Sequence, residues 1–156
     1  MKSRDYEELL ESFNARGVRY LIVGAHAVAF HARPRATKDL DLFIEPTQEN
    51  AERVLSAIRD FFGGEDLGFT TRDLTTPGLI IQLGVAPARI DLLSRLASRI
   101  EFTAAWERRT PGRFGSVETF YLSLEDLIEE KTSSGRPQDK ADLRTLKRAR
   151  SGRSRP

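Results

Sequence analysis

Two patterns in the sequence predict an α/β or α+β domain, in which a small β-sheet is flanked by helices. Apolar residues spaced i, i+3, i+4 and i+7, as in amphipathic helices, alternate along the chain with short apolar runs typical of strands. Glycine and proline residues separate these segments. The length of 156 residues suits one domain, and a hydrophobic content of 39% is typical of a globular chain rather than a disordered one.

The first half of the chain alternates helix and strand. The stripe of Tyr6, Leu9, Leu10 and Phe13 predicts the first helix, and Thr47 is a candidate cap for the third. The predicted elements are a helix over 3–15, a strand over 18–23, a helix over 25–31, a strand over 39–45 and a helix from Thr47 to the Gly63–Gly64 pair.

The second half continues with strands and then with two helices that form a C-terminal helical hairpin. Ser123 predicts the start of the first of these helices, and Pro137 suits the first turn of the second. The predicted elements are strands at 79–83 and 89–93, a helix over about 97–108, a strand at 117–121, and helices ending near 133 and 149. Residues 65–78 fit no single element.

The C-terminal ten residues differ in composition from the rest. They read KRARSGRSRP and hold five basic residues and no acid, although the whole chain has a net charge of only +2. We therefore assign residues 1–146 to a single domain and residues 147–156 to a basic, flexible tail. Either the tail is a solubilising terminus, or it contacts nucleic acid or another polyanion without sequence specificity.

Composition excludes several classes of protein. No cysteine is present, so disulfides and thiolate metal sites are excluded, and any metal must be held by oxygen atoms or by the two histidines. No apolar run approaches the ~20 residues of a membrane span. The N-terminus does not have the pattern of a secretory leader, so we expect a cytoplasmic protein without a membrane partner.

Three aspartates stand in apolar strand segments, where aspartate is disfavoured. Asp39 and Asp41 open the run DLDLFI and share one face of the strand because side chains alternate, while Asp91 stands in RIDLL. Neighbouring carboxylates raise the cost of ionising one another, and a hard cation such as Mg²⁺ removes that cost. A capping or edge-strand role is the alternative for each of them.

Two further features suggest a phosphate ligand. Gly24 ends the strand 18–23 and precedes a helix, a position where free backbone N–H groups attract phosphate. Lys131 lies on the apolar stripe of its helix with Leu124, Leu127 and Ile128, so it points inward. It either reaches a triphosphate as a point charge or pairs with Asp139 or Asp142 of the next helix.

The segment VGAHAVAFHARPRATKDLDLFIE resembles the signature of the DNA polymerase β-type nucleotidyltransferase superfamily. After Gly24 it follows the pattern H-x-x-x-R-x-T-x-D-x-D, and LSLEDLIEEKTSSGRPQDKADLRTL resembles the closing segment of these proteins. The likeness spans residues 18–146 and is greatest to small bacterial and archaeal members, either AbiEii-like toxins or minimal stand-alone types.

This resemblance implies a mixed sheet and the transfer of a nucleoside monophosphate from an NTP to an acceptor, with release of pyrophosphate. Asp39, Asp41 and Asp91 would be catalytic and would hold Mg²⁺ or Mn²⁺. The triphosphate would be bound by five further residues: Gly24, Ala25, Arg35, Thr37 and Lys131. Ala25 departs from the pattern, which has Gly or Ser at this position. Where the residue is Ser, it offers a hydroxyl that Ala lacks.

Three functions are therefore considered. The first is an Mg²⁺-dependent nucleotidyltransferase whose acceptor is RNA, protein or a small molecule, in one setting as half of a toxin–antitoxin pair. The second, suggested by Ala25, is a member with weak or no activity that binds a nucleotide or a partner. The third is a nucleic-acid binder that uses the basic tail. A chain this short leaves room for a protein partner or a second copy to complete the cleft.

Overall fold

In the computed structural model, which describes residues 3–34, 39–85 and 88–153, seven helices surround one six-stranded sheet. The strands are β1 (Tyr20–Val23), β2 (Asp39–Ile44), β3 (Ile80–Val85), β4 (Ala88–Leu93), β5 (Thr110–Phe114) and β6 (Val117–Tyr121). The helices are α1 (Ser3–Ala15), α2 (Gly24–His31), α3 (Gln48–Phe61), α4 (Thr71–Thr75), α5 (Phe102–Glu107), α6 (Leu124–Ser134) and α7 (Pro137–Arg153).

The sheet is mixed, as predicted. Its strand order is β3-β4-β2-β1-β6-β5, with β2 parallel to β4 and β1 parallel to β6, and with the other neighbouring pairs antiparallel. The central strand β1 is apolar and buried along its whole length, and its neighbour β2 is buried except at Asp39 and Asp41. This order places the start of β2, the end of β1 and the middle of β4 next to one another.

Predicted and observed elements differ most in the second half. Strand β5 was not predicted because its sequence TPGRF contains proline and glycine, which disfavour strands away from sheet edges. The helix predicted over 97–108 begins only at Phe102. The backbone N–H groups of Ala97 and Ser98 instead donate to the Glu130 carboxylate at 3.0 and 2.8 Å, and Arg99 has a φ of 61°.

The C-terminal hairpin of α6 and α7 is present, and α7 continues beyond its predicted end to Arg153. Residues 147–153, assigned to a flexible tail from their composition, are thus helical. Arg153 anchors the end of α7 to α2 by donating hydrogen bonds to the backbone oxygen of His31 at 3.0 Å and to its Nδ1 at 3.3 Å. No helix in the described ranges has the length and apolar character needed to cross a membrane.

The contacts of His31 with Leu122 and Arg153 determine which of its ring nitrogens carries the hydrogen. The Nε2 atom lies 2.7 Å from the carbonyl oxygen of Leu122, which can only accept, so Nε2 carries the hydrogen and Nδ1 accepts from Arg153. Burial lowers the pKa of His31, the bond to Leu122 opposes this effect, and the charge of Arg153 lowers the pKa further.

We expect the substitution Arg153→Gln to raise the pKa of His31, because it removes a cation next to Nδ1. The imidazole signals in an NMR titration give this pKa directly, with His26 as the internal control. The folded state disfavours the protonated ring, so stability from His31 is full above about pH 6.5 and falls as the pH drops toward the folded pKa. An unchanged His31 pKa in the variant would show that α7 does not dock through Arg153.

Candidate active site

The structure brings the three predicted aspartates together on adjacent strands. In the parallel pair β2·β4, Asp41 stands opposite Asp91, and Asp39 stands opposite Arg89. Residues 39, 41 and 91 therefore share one face of the sheet, since side chains alternate along each strand and paired positions point the same way. The register confirms that Asp91 neighbours the other two acids; their catalytic and metal-binding roles stay predictions.

Asp41 lies at the centre of this group and is the most perturbed acid. Burial raises its pKa to about 6, and the charges of Asp91 and Asp39 add to this effect, whereas Lys131 and Arg89 oppose it. Burial also raises the pKa of Asp91, although Arg89 partly offsets this increase. Asp41 makes no hydrogen bond or ion pair with the described residues. Its negative charge is therefore poorly compensated, as is common at functional sites.

Gly24 meets two requirements at this site. Its φ is 68°, in the left-handed region that favours glycine, and Val23 pairs with Asp41 in the antiparallel ladder of β1 and β2. A Cβ at Gly24 would overlap the Oδ2 atom of Asp41 and lie 3.1 Å from its Cγ atom. Only glycine lets the Asp41 carboxylate lie against the turn from β1 into α2.

The turn at Gly24 also opens helix α2 at the aspartates. The N-cap residue is Val23, which has no side-chain acceptor, so no side chain caps the first N–H groups of the helix. Ala25 lies in this first turn and offers its backbone N–H alone. Free N–H groups and the helix dipole attract anions to this position. Arg35 and Thr37, predicted to contact phosphates, lie outside the described residues.

Among the described residues, Arg89 forms ion pairs with two of the three acids. Its Nη2 atom lies 3.2 Å from Oδ2 of Asp39, and its Nε atom lies 3.1 Å from Oδ1 of Asp91. The second contact is an ion pair without hydrogen-bond alignment, because neither Nε nor Oδ1 has a hydrogen-bond partner. One guanidinium thus bridges two of the three carboxylates, while Asp41 is left outside the bridge.

Lys131 is buried between α6 and α7 and is paired with acids. Its Nζ atom lies 3.1 Å from Asp139 and 3.3 Å from Asp142. Burial of Asp139 favours a high pKa, but hydrogen bonds from Ser134, Lys131 and Arg136 outweigh it and hold the pKa at about 2. The inward direction of Lys131 was predicted correctly, and the structure shows the Lys–Asp pairing. A contact with triphosphate stays a prediction.

Three residues near the acids were not singled out as site residues. Arg89 stands two positions before Asp91 on the same strand face, and this spacing was a usable signal. Tyr6 comes from α1, and burial together with Asp39 raises its pKa. His26 has a buried Nε2 without a partner in the described ranges, and burial lowers its pKa. No local pattern links Tyr6 or His26 to β2, because only the tertiary fold brings them there.

The donor chemistry of the site suits Mg²⁺, but the side chains are not arranged around a metal position. Carboxylate oxygens are the ligands that Mg²⁺ prefers, and burial together with neighbouring carboxylates disfavours the charge of Asp41. Within the ranges described, however, no three His, Asp or Glu side chains are grouped to hold an ion. The Arg89 bridge accounts for this, since a guanidinium already occupies the space between Asp39 and Asp91.

Comparisons with known proteins identify relatives of the whole chain. A family model described as "Nucleotidyl transferase of unknown function (DUF2204)" matches residues 2–154. The fold is similar to the crystal structure of a proposed nucleotidyltransferase from Thermotoga maritima, with a TM-score of 0.59 and 14% sequence identity. This similarity covers 93% of the present chain and 91% of the Thermotoga chain. No curated protein sequence matches.

The perturbed carboxyl group predicts that Asp41→Asn stabilises the fold at neutral pH. The folded-state pKa of about 6 lies above the ordinary value of 3.8 for this carboxyl group, so ionised Asp41 destabilises the folded state once the pH rises through 6. We expect the variant to gain about 1–2 kcal/mol at pH 7.5 in urea unfolding, because it removes this buried charge.

The gain from Asp41→Asn should shrink as the pH falls from about 7.5 to 4.5, because the wild-type carboxyl then becomes protonated. Glu11→Gln, which neutralises an exposed carboxylate on α1, is the matched control and should change little. A destabilised Asp41→Asn variant at pH 7.5 would contradict the burial of an uncompensated charge.

Proposed function

Because the chain belongs to this nucleotidyl transferase family, we propose that it moves a nucleoside monophosphate from an NTP to an acceptor hydroxyl. The observation that carries the proposal is the register of β2 and β4, which sets Asp41 opposite Asp91 and keeps Asp39 on the same face. The close approach of Gly24 to Asp41 supports it, since it joins the acids to the open start of α2.

In the proposed reaction the acceptor oxygen attacks the α-phosphorus, and the bond to the β-phosphate oxygen breaks, so that pyrophosphate leaves. Asp91 orients the hydroxyl and receives its proton, which a raised pKa favours. Asp39, Asp41 and Asp91 would hold Mg²⁺ or Mn²⁺, which would supply positive charge to neutralise the phosphates. The first N–H groups of α2, including those of Gly24 and Ala25, hold the triphosphate.

Arg89 changes partners in this proposal. In the structure it pairs with Asp39 and Asp91. A cation held by the acids would supply the positive charge that Arg89 gives to these two carboxylates. The guanidinium would then be available to the phosphates, which it would bind through paired N–H donors.

Lys131 contributes a positive charge near Asp41, where it already lowers the pKa of that carboxyl group. Its two partners, Asp139 and Asp142, fix its position between α6 and α7. We propose that its charge acts on the triphosphate from this fixed position. Arg35 and Thr37 are proposed to contact phosphates as well, on the sequence pattern alone.

The acceptor and the biological setting are proposed from the sequence resemblance. RNA, protein and small molecules are the candidate acceptors, and a toxin–antitoxin pair of the AbiEii-like type is one candidate setting. We also propose a cytoplasmic location. A protein partner or a second copy is proposed to complete the cleft.

The activity test uses NTPs labelled at the α-phosphate, Mg²⁺ and, in separate reactions, RNA and cell extract. We expect label transfer by the wild-type protein and a loss of at least about 100-fold for Asp41→Asn, as for removal of a metal ligand. Glu11→Gln should transfer label at the wild-type rate. Equal transfer by the wild type and Asp41→Asn would contradict the proposal.

A second candidate function is nucleotide binding without turnover, favoured by the Arg89 bridge and by Ala25. Calorimetry for NTP binding, together with a measurement of pyrophosphate release, separates the two candidates. A protein that only binds would show NTP binding with no pyrophosphate release in any reaction. Pyrophosphate release that depends on Asp39 would exclude this second candidate.

A further inference from the structure

A cavity lined by Arg19, Trp106 and Phe120 lies away from the aspartates and has no place in the proposed reaction. It has a volume of about 750 Å³ and lies between the end of α1, the residues before β1 and the edge strands β5 and β6. Arg19 lines it, directly before β1, whereas Gly24 and the acids lie at the opposite end of that strand. Its volume is within the range of small-molecule sites, about 300–1,000 Å³.

Two aromatic side chains form a rigid wall of this cavity. Trp106 and Phe120 meet edge to face with ring centres 5.2 Å apart, and both line the cavity. The Arg109 guanidinium lies 4.1 Å from the Trp106 ring centre and 4.7 Å from that of Phe120, and it donates to the Trp106 carbonyl oxygen at 2.9 Å. Arg109 therefore fixes both rings, so the wall is preformed.

Two arginines that line the cavity form long, exposed ion pairs with glutamates. Arg19 is 3.5 Å from Glu45 and its side chain is 50% exposed, and its guanidinium lies 5.5 Å from the Trp106 ring centre. Arg113 is 3.6 Å from Glu118 with 64% exposure, and it also donates a hydrogen bond to the Ser116 carbonyl oxygen at 3.1 Å. Exposed ion pairs at such distances contribute about 0–1 kcal/mol each. A more highly charged anion such as a phosphate can replace these glutamates as the partner.

We infer that this cavity is a second binding site, which takes an anionic ligand with a planar aromatic ring, a nucleoside monophosphate being the simplest example. The ring packs against Trp106 and Phe120, and the phosphate binds Arg19 and Arg113. Aromatic stacking and arginine contacts are two means by which proteins hold nucleotides without a metal. The site needs no divalent cation, which distinguishes it from the site at the aspartates.

The chain offers a selective probe, because Trp106 is its only tryptophan. Titration of AMP into the wild-type protein in EDTA should change Trp106 fluorescence saturably. Adenosine and inorganic phosphate, tested separately, should each bind more weakly than AMP. The double variant Arg19→Gln/Arg113→Gln should weaken AMP binding at least about tenfold, or 1.4 kcal/mol.

Matched variants separate this site from the acid site. Arg72→Gln, at an exposed arginine on α4, should leave AMP binding unchanged, and so should Asp41→Asn. Failure of the nucleotidyl transfer test would leave this result untouched, since AMP binding is measured without metal. No saturable fluorescence change with AMP, or equal binding by the double variant, would overturn the inference. So would a Trp106 signal that follows protein concentration alone, which would indicate a contact between copies.

Discussion

The charge of Asp41 is the constraint on which the arrangement of this site depends. The parallel register of β2 and β4 places its carboxylate opposite that of Asp91, in a half-buried position where each disfavours ionisation of the other. A fold stabilised only by its apolar core would not keep two such groups side by side. Their position at the centre of the sheet, beside a helix N-terminus, is the reason for proposing a ligand that carries positive charge.

The surrounding residues show how the chain tolerates this charge when no ligand is present. Arg89 bridges Asp39 and Asp91, which leaves Asp41 as the one acid with a raised pKa and no direct partner in the described part of the chain. Lys131 lowers the pKa of Asp41 without pairing with it, because Asp139 and Asp142 hold Lys131 between α6 and α7. The stability lost at Asp41 is offset elsewhere in the fold.

The alternation of side chains between the two faces of a strand made the acid site predictable. Asp39 and Asp41 stand two residues apart, and Asp91 stands in an equally apolar segment. Once the two strands are taken as neighbours, the three side chains are expected on one face of the sheet. Arg89 had the same two-residue spacing from Asp91, but a basic residue at a strand end is usually a solvated one. Tyr6 and His26 reach the site only through tertiary packing.

Elsewhere, tertiary contacts overrode the local patterns. Glu130 binds the backbone at Ala97 and Ser98 and so delays the start of α5. Arg153 binds His31, and α7 extends through residues whose composition suggested a flexible tail. The cavity at Trp106 was also beyond prediction, because its walls come from segments far apart in the chain. Composition and periodicity carry no information about such long-range pairs.

The most direct test of the central claim is a crystal structure of the protein with Mn²⁺ and a non-hydrolysable NTP. The account predicts anomalous density for Mn²⁺ at carboxylate oxygens of Asp41 and Asp91, at roughly 2.0–2.3 Å, the range for small hard cations. Arg89 should have turned from Asp91 toward the phosphates, and the triphosphate should lie at the first turn of α2. Manganese absent from these carboxylates, with Arg89 still bridging Asp39 and Asp91, would contradict it.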